Sequence, residues 1–225
     1  MNETQLRVSP WWLVPPGLLF VLNFIGSLFI RVPDQSNAVY KPSLIAQTAV
    51  FDLLLVAYVA FAAWRSTRRV GQTLALRRVA FAPAARMAAG VFVAVTAFSL
   101  LTDPLTNAGK KQGIAPTHGP QDSHQWLALG FSLVALVVIA PVAEELMFRG
   151  LCFAGMGRYA LPGSAALFAV AHGLPVLLLP IFVIGLGLGW LRSRTGSVYP
   201  GMGVHMSVNA LALLVALATG AARLC

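Results

Sequence analysis

Three short polar motifs lie within long apolar segments in the second half of the chain. They read EELMFR (144–149), FAVAH (168–172) and HMSVN (205–209). Carboxylate and imidazole side chains accept and donate protons, and imidazole and carboxamide groups donate hydrogen bonds. Such groups can activate a water molecule and stabilise the negative oxygen that forms when the water attacks a carbonyl. The residue types therefore indicate acid–base chemistry and the stabilisation of an oxyanion.

The spacing within the first motif separates its two glutamates. Residues four apart share one face of a helix, so Glu145 and Arg149 can form an ion pair, whereas Glu144 is rotated away by about 100°. Glu144 has no partner within its motif, and we predict that it is the general base. An alternative stays open, in which both glutamates anchor a helix end while Arg149 extends along the helix to a polar interface.

The other two motifs also contain residues four apart. Phe168 and His172 share a face near the end of a short helix, where His172 is either a catalytic or a packing residue. His205 and Asn209 share a face of another helix, and their two neutral donors suit the stabilisation of an oxyanion. The alternative for this second pair is hydrogen bonding between helices.

The composition is that of a membrane protein. The chain has 225 residues, of which 58% are hydrophobic and 10% are charged, whereas soluble domains contain about 25% charged residues. Seven apolar segments lie near residues 11–30, 43–64, 86–102, 125–147, 162–174, 176–191 and 200–220. The fifth is too short to cross a membrane alone and must be shielded by its neighbours. We predict one all-α domain over residues 1–225, a polytopic integral-membrane bundle of about six to eight transmembrane or partly embedded helices.

The basic residues predict the orientation of these segments. Six arginines lie between the second and third segments: Arg65, Arg68, Arg69, Arg77, Arg78 and Arg86. This connection should therefore be cytoplasmic, and alternation places the N-terminus and the three motifs toward the same side. Arginine exceeds lysine and alanine is abundant, as in a GC-rich bacterial gene, so we expect a bacterial inner membrane. No basic patch interleaved with aromatic residues indicates nucleic-acid binding.

Asp52 is a further ionisable residue within a predicted spanning segment. A charged side chain inside a membrane costs at least about 2.5–3.5 kcal/mol, so each one is a candidate functional residue. We expect Asp52 to be a structural carboxylate that faces the interior of the bundle. Substrate binding and pairing with an arginine are the alternatives.

The three motifs, in the order EExxxR, FxxxH and HxxxN, resemble those of the CAAX protease and bacteriocin-processing family. This family is also called the CPBP or ABI family of type II CAAX prenyl endopeptidase-like proteins. The resemblance extends from Leu127 to Leu214 and includes the segment GLGLGWLRSRTGSVYPGMGVHMSVNA (185–210). It implies a catalytic core over residues 125–220, whereas residues 1–120 carry no motif of this family.

This resemblance implies an intramembrane endopeptidase that cuts a membrane-anchored or lipid-linked protein or peptide near a C-terminal tail or a leader. In the family, the first glutamate and the FxxxH histidine activate a water, which corresponds here to Glu144 and His172. The histidine and asparagine of the third motif form the oxyanion hole, which corresponds to His205 and Asn209. Supporting positions are held by Glu145, Arg149 and Phe168.

Two alternatives to a metal-free protease stay open. The first is a zinc-dependent form of the same protease, with Glu144, His172 and His205 as ligands of an open site. We favour no metal because the chain lacks HExxH, the motif that places two histidines one helical turn apart. The second is a non-enzymatic membrane scaffold or transporter-like protein, in which the polar cluster serves packing or a proton relay.

Overall fold

The fold is known from a computed structural model that describes residues 7–29, 37–106, 116 and 118–222. Within those ranges the chain is helical and contains no strand, which confirms the predicted all-α fold. The described residues form seven helices: α1 Val14–Phe29, α2 Pro42–Thr67, α3 Phe81–Thr106, α4 over residues 123–156, α5 Ala160–Ala171, α6 Leu178–Thr195 and α7 Tyr199–Ala222. Short 3₁₀ turns precede α1, α2, α5 and α6, and one further helical turn, Val70–Thr73, follows α2.

Six stretches of the described chain are long and apolar enough to cross a membrane. Five of them correspond to α1, α2, α3, α6 and α7. The sixth, Ser123–Ala171, contains both α4 and α5. The protein is therefore a multi-pass membrane protein, as its composition predicted.

The fourth helix is longer than the sequence predicted. The apolar segment near 125–147 stops just before Arg149, but α4 continues to Met156. Glu145 and Arg149 are fully buried and pair with each other, so these charges do not end the helix. The first segment, predicted over 11–30, can be compared only as far as Phe29, because residue 30 lies outside the described ranges.

Two π-helical segments widen α4 around the first motif. The first, Ala135–Ile139, lies just before Pro141. Proline has no N–H, so the carbonyls four and five residues before it lose their donor within the helix. One of these carbonyls, that of Leu136, accepts a hydrogen bond from the side chain of Asn209 on α7 at 2.9 Å. The second π segment, Glu145–Cys152, is buried along its whole length.

The helices α2 and α4 run in the same direction, and α7 runs against them. At one end of the pair, the Ser132 hydroxyl donates to the carbonyl of Val39 at 2.7 Å. At the other end, Leu74, which follows α2, packs against Gly150. The α7 helix begins beside this second end and passes α4 so that the third motif faces the first.

The short helix α5 is packed between α1, α4 and α6, as predicted for a helix too short to cross alone. Gly185 on α6 lies directly against Ala165 on α5, since a Cβ at Gly185 would be only 3.0 Å from the Ala165 Cα. The glycine lets the two helix backbones approach closely. This approach also places the Gly185 carbonyl 3.1 Å from Nη2 of Arg149.

Several connections that carry arginines meet at one end of the bundle. Hydrogen bonds join Val8 to Ala154, Val198 to Ala75 and Ser197 to Arg77. They bring together the residues before α1, the connection after α2, the end of α4 and the turn between α6 and α7. Clustering of basic residues at one end is what the positive-inside rule requires of a cytoplasmic face. The side of the membrane that this end faces stays a prediction.

Candidate active site

The first and third motifs are in contact at the interface of α4 and α7. The imidazole of His205 lies between two carboxylates, with its Nε2 3.5 Å from Glu144 Oε2 and its Nδ1 3.4 Å from Glu145 Oε1. His205 is buried. Glu144, which has no partner within its own motif, therefore has one on another helix. A motif of six residues could not show a contact made by a helix that lies 60 residues away along the chain.

The two adjacent glutamates differ in their access to solvent. The Glu144 side chain is 23% exposed, whereas that of Glu145 is 0% exposed. Neighbouring residues on a helix point in directions about 100° apart, which explains how one carboxylate can be open and the other closed. Water or a substrate can reach Glu144 but not Glu145.

Glu145 and Arg149 form a completely buried ion pair. The distance from Glu145 Oε1 to Arg149 Nη1 is 3.0 Å, and neither side chain is exposed. Arg149 also donates from Nη2 to the Gly185 carbonyl, and its guanidinium carbon lies 4.4 Å from the centre of the Phe168 ring. A buried charge needs such compensation because water no longer solvates it. Arg149 therefore does not extend to an interface, which removes the anchoring alternative for this residue.

Gly201 completes the wall beside Glu145 and was not singled out from the sequence. A Cβ at this position would lie 2.6 Å from Glu145 Oε2. Only glycine lets the first turn of α7 approach the carboxylate so closely. The spacing could have revealed this residue, because Gly201 lies four residues before His205 and shares its helix face.

Arg192 on α6 also supports the site. Its Nε donates to the carbonyl of Arg149 at 3.1 Å, and its guanidinium lies 5.5 Å from the centre of the Phe153 ring. No local pattern reveals this contact, because it depends on the way that α6 packs against α4.

Phe168 on α5 joins the second motif to the other two. It is 1% exposed, and its ring makes edge contacts with His172 at 4.7 Å and with His205 at 5.6 Å between centroids. The same ring packs on Phe148 and on the Arg149 guanidinium. Phe168 is thus a common packing partner for residues of all three motifs.

His172 has one ring nitrogen fixed by the backbone. Its Nδ1 lies 2.8 Å from the carbonyl of Phe168. A carbonyl only accepts hydrogen bonds, so Nδ1 is the donor and the neutral ring has a free lone pair on Nε2. The chain turns immediately afterwards at Gly173, with φ of +65°, where a Cβ would lie 2.5 Å from Asn23 Nδ2. His172 is half-buried at this turn.

Asn209 lies one helical turn beyond His205 and is engaged by α4. Its Nδ2 donates to the Leu136 carbonyl at 2.9 Å. This bond is the interhelical contact that the sequence left open as an alternative. A carboxamide has two N–H groups, so this bond leaves Asn209 a second one.

Asp52 on α2 faces the bundle interior and is 4% exposed. Its Oδ2 has no hydrogen-bond partner, and none of the ion pairs between described residues includes it. The expected interior position is therefore observed, whereas pairing with an arginine is not.

The described residues include no group of three His, Cys, Asp or Glu side chains placed to hold a metal ion. Of the alternative zinc ligands, Glu144 and His205 are adjacent, whereas the described contact of His172 with this site passes through Phe168.

We predict that Arg149→Met lowers the free energy of unfolding by about 3–5 kcal/mol, because it leaves the Glu145 carboxylate buried without a cation. The double variant Glu145→Leu with Arg149→Met should recover much of this loss, since it removes both charges. Equilibrium unfolding in detergent micelles measures both effects. Arg194→Met, which removes an exposed arginine on α6, is the control and should change stability by less than about 0.5 kcal/mol. A double variant as unstable as the single one would contradict this account.

A second prediction uses two glycines of α7. Gly201→Ala should lower stability by about 1–3 kcal/mol, because the new methyl group must displace the Glu145 carboxylate. Gly203→Ala adds the same methyl group where no atom lies within 4 Å, so it should be neutral or slightly stabilising. Equal effects of the two substitutions in the same unfolding assay would show that the close approach of α7 to Glu145 does not require glycine at position 201.

Comparison with known families supports the resemblance found in the motifs. Residues 126–211 match the family described as type II CAAX prenyl endopeptidase Rce1-like. No curated protein and no solved structure gives a significant match. The matched residues include all three motifs and the helices α4 to α7 that position them. Over residues 126–211, the chain is similar to the family of Rce1-like type II CAAX prenyl endopeptidases.

Proposed function

We propose that this protein is an intramembrane endopeptidase in which Glu144 and His172 activate the water that hydrolyses a peptide bond. The observation that carries the proposal is the different exposure of the two glutamates within a segment that matches a CAAX-type protease family. The Glu145 side chain is inaccessible to solvent and its charge is balanced by Arg149, which suits a structural role. The Glu144 side chain is partly exposed to solvent and faces a histidine, which suits proton transfer.

The reaction needs a proton acceptor for the water. Glu144 takes a proton from the water as the water oxygen attacks the carbonyl carbon of the scissile bond. The free Nε2 lone pair of His172 can accept a hydrogen bond from the same water and orient it. When the C–N bond breaks, Glu144 returns the proton to the leaving nitrogen, so the carboxylate is regenerated.

The tetrahedral intermediate carries a negative oxygen that needs donors. His205 lies between Glu144 and Glu145, and a neutral imidazole carries one N–H donor. Asn209 keeps one N–H beyond the one that it gives to Leu136. The two residues are one turn apart on α7, so their donors can act on one oxygen, and removal of one such donor typically costs about 2.7–4 kcal/mol of barrier.

The substrate class follows from the membrane location and the family. The site lies within a multi-pass bundle, so its substrate is itself anchored in the membrane by a lipid or an apolar segment. A prenylated C-terminal tail or another lipid-linked tail or leader fits this requirement. We place the basic end of the bundle, and with it the approach to the site, on the cytoplasmic side, because basic connections stay on that side.

Glu144→Gln should lower kcat by about 10²–10⁴-fold, because glutamine has the same shape but cannot accept the proton. The purified protein is assayed with an internally quenched peptide that carries an S-farnesyl cysteine three residues before its C-terminus. In parallel, protein termini are compared in membranes of cells that express the wild type or the variant, and a precursor should accumulate with the variant.

Asp122→Asn is the matched control, because it changes an exposed acid at the start of α4 and keeps the oxygen that caps the helix. It should retain activity. If Glu144→Gln folds like the wild type and processes every substrate normally, the proposal fails. A scaffold or transporter-like protein would also give no difference: no precursor would accumulate in membranes of cells that express either the wild type or Glu144→Gln.

A metal-free mechanism predicts that chelators leave cleavage unchanged. The purified protein is treated with EDTA and with 1,10-phenanthroline before the peptide is added. Loss of activity that zinc restores would instead assign Glu144, His172 and His205 as metal ligands.

A further inference from the structure

Asp52 is the buried acid that the proposed reaction leaves without a role. The buried residues of α2 are Asp52, Leu55, Val59, Ala62 and Ala63. The intervals from Asp52 to Leu55, Val59 and Ala62 are three or four residues, and Ala63 lies four residues after Val59, so the five form one face of the helix. The adjacent residues Phe51, Leu53 and Leu54 are exposed. Asp52 therefore points into the bundle while its neighbours point to lipid.

The register of α2 against α4 places Asp52 at the level of the two glutamates. The hydrogen bond between Ser132 and Val39 fixes an offset of 93 residues between these parallel helices. Both segments are helical for most of the residues that follow this contact, so the same offset puts Asp52 near the level of Glu144 and Glu145. The electrostatic interaction of the Asp52 and Glu144 carboxyls agrees with this register.

The surroundings of Asp52 disfavour an ionised side chain. It is 4% exposed, and its Oδ2 has no hydrogen-bond partner. The cation at this level, Arg149, is engaged by Glu145 and by the Gly185 carbonyl. An ionised carboxylate without a partner costs several kcal/mol in such a site, and two neighbouring carboxylates do not both ionise there.

Of these two carboxyls, Asp52 is the one whose surroundings favour the neutral form. Glu144 is 23% exposed and has His205 Nε2 at 3.5 Å, so its charge is solvated and faces a donor. Asp52 has neither advantage. The other titratable groups around the site, Glu145 on α4, His172 on α5 and His205 on α7, have the described partners given above.

Resting on the function proposed above, we propose that Asp52 is a positioning residue for Glu144. Its neutral carboxyl donates a hydrogen bond to the Glu144 carboxylate through one water. This bond keeps Glu144 ionised and aligned for the activation of water. Asp52 itself does not touch the substrate.

The test compares two variants of Asp52. Asp52→Asn keeps a neutral donor of similar shape and should retain kcat close to that of the wild type. Asp52→Leu removes the donor and should lower kcat by about 10- to 100-fold, the value of one hydrogen bond to a charged group. KM should not change in either variant. The assay uses the farnesylated peptide. If the wild type does not cleave this peptide, the assay uses the precursor that the comparison of termini identifies.

Stability separates positioning from a structural role. Leucine replaces a carboxyl whose oxygen lacks a partner, so Asp52→Leu should be at least as stable as the wild type in detergent. Leu55→Ala, one turn further along the same face of α2, is the control. It opens a cavity and should lower stability while kcat is retained.

Three results would overturn the inference. Full activity of Asp52→Leu would show that the donor is not needed. Equal loss in Asp52→Asn and Asp52→Leu would show that an ionised aspartate acts instead. Failure of both Asp52→Leu and Asp52→Ala to fold would assign Asp52 to structure. Glu144→Gln is measured in the same assay: if it is active, the proposed function fails, whereas an inactive Glu144→Gln with an active Asp52→Leu refutes only the role of Asp52.

Discussion

The burial of Arg149 is the constraint on which the arrangement of this bundle depends. A guanidinium removed from water is costly unless an opposite charge and further acceptors replace its hydration. Here Glu145 supplies the charge, α6 supplies the Gly185 carbonyl and α5 supplies the face of Phe168. Each of these contacts requires a particular helix to approach α4. The groups that compensate one arginine therefore also fix α5, at whose end His172 lies, and Glu145 itself faces His205 on α7.

The irregular geometry of α4 follows from the same need to present polar groups inside an apolar bundle. Pro141 removes a backbone donor just before the first motif, and the π segment before it leaves the Leu136 carbonyl to be satisfied by Asn209. This bond holds α7 against α4 at the turn that follows His205. Gly201 keeps the preceding turn of α7 close to Glu145. A regular α4 or a bulkier α7 would separate His205 from the two carboxylates.

Sequence alone could predict the elements of this site but not all of its contacts. Helical spacing predicted which residues share a face, and hydropathy predicted the spanning helices, because both depend on local periodicity. The partner of Glu144 could not be found in this way, since His205 reaches it from a helix that is distant along the chain. The end of α4 at Met156 was not predicted, because hydropathy indicates an apolar segment only as far as residue 147. Gly201 was missed because a close approach of two helices is not visible in residue type, although its spacing from His205 was a signal. Arg192 was missed because its contact with a backbone carbonyl depends on how α6 packs against α4.

The balance of charge within the described interior explains why such a site can move protons. Three carboxyl groups, those of Asp52, Glu144 and Glu145, lie in one region of the bundle, where Arg149 is paired with Glu145. A low-dielectric interior disfavours negative charges that no cation compensates. A proton that passes between Glu144 and its neighbours leaves the total charge unchanged, and no charge then has to be brought out of water. Hydrolysis requires a proton to leave the water and to return to the leaving nitrogen. A cluster of fixed total charge can perform both transfers within the membrane, whereas an isolated carboxylate would have to be desolvated at each turnover.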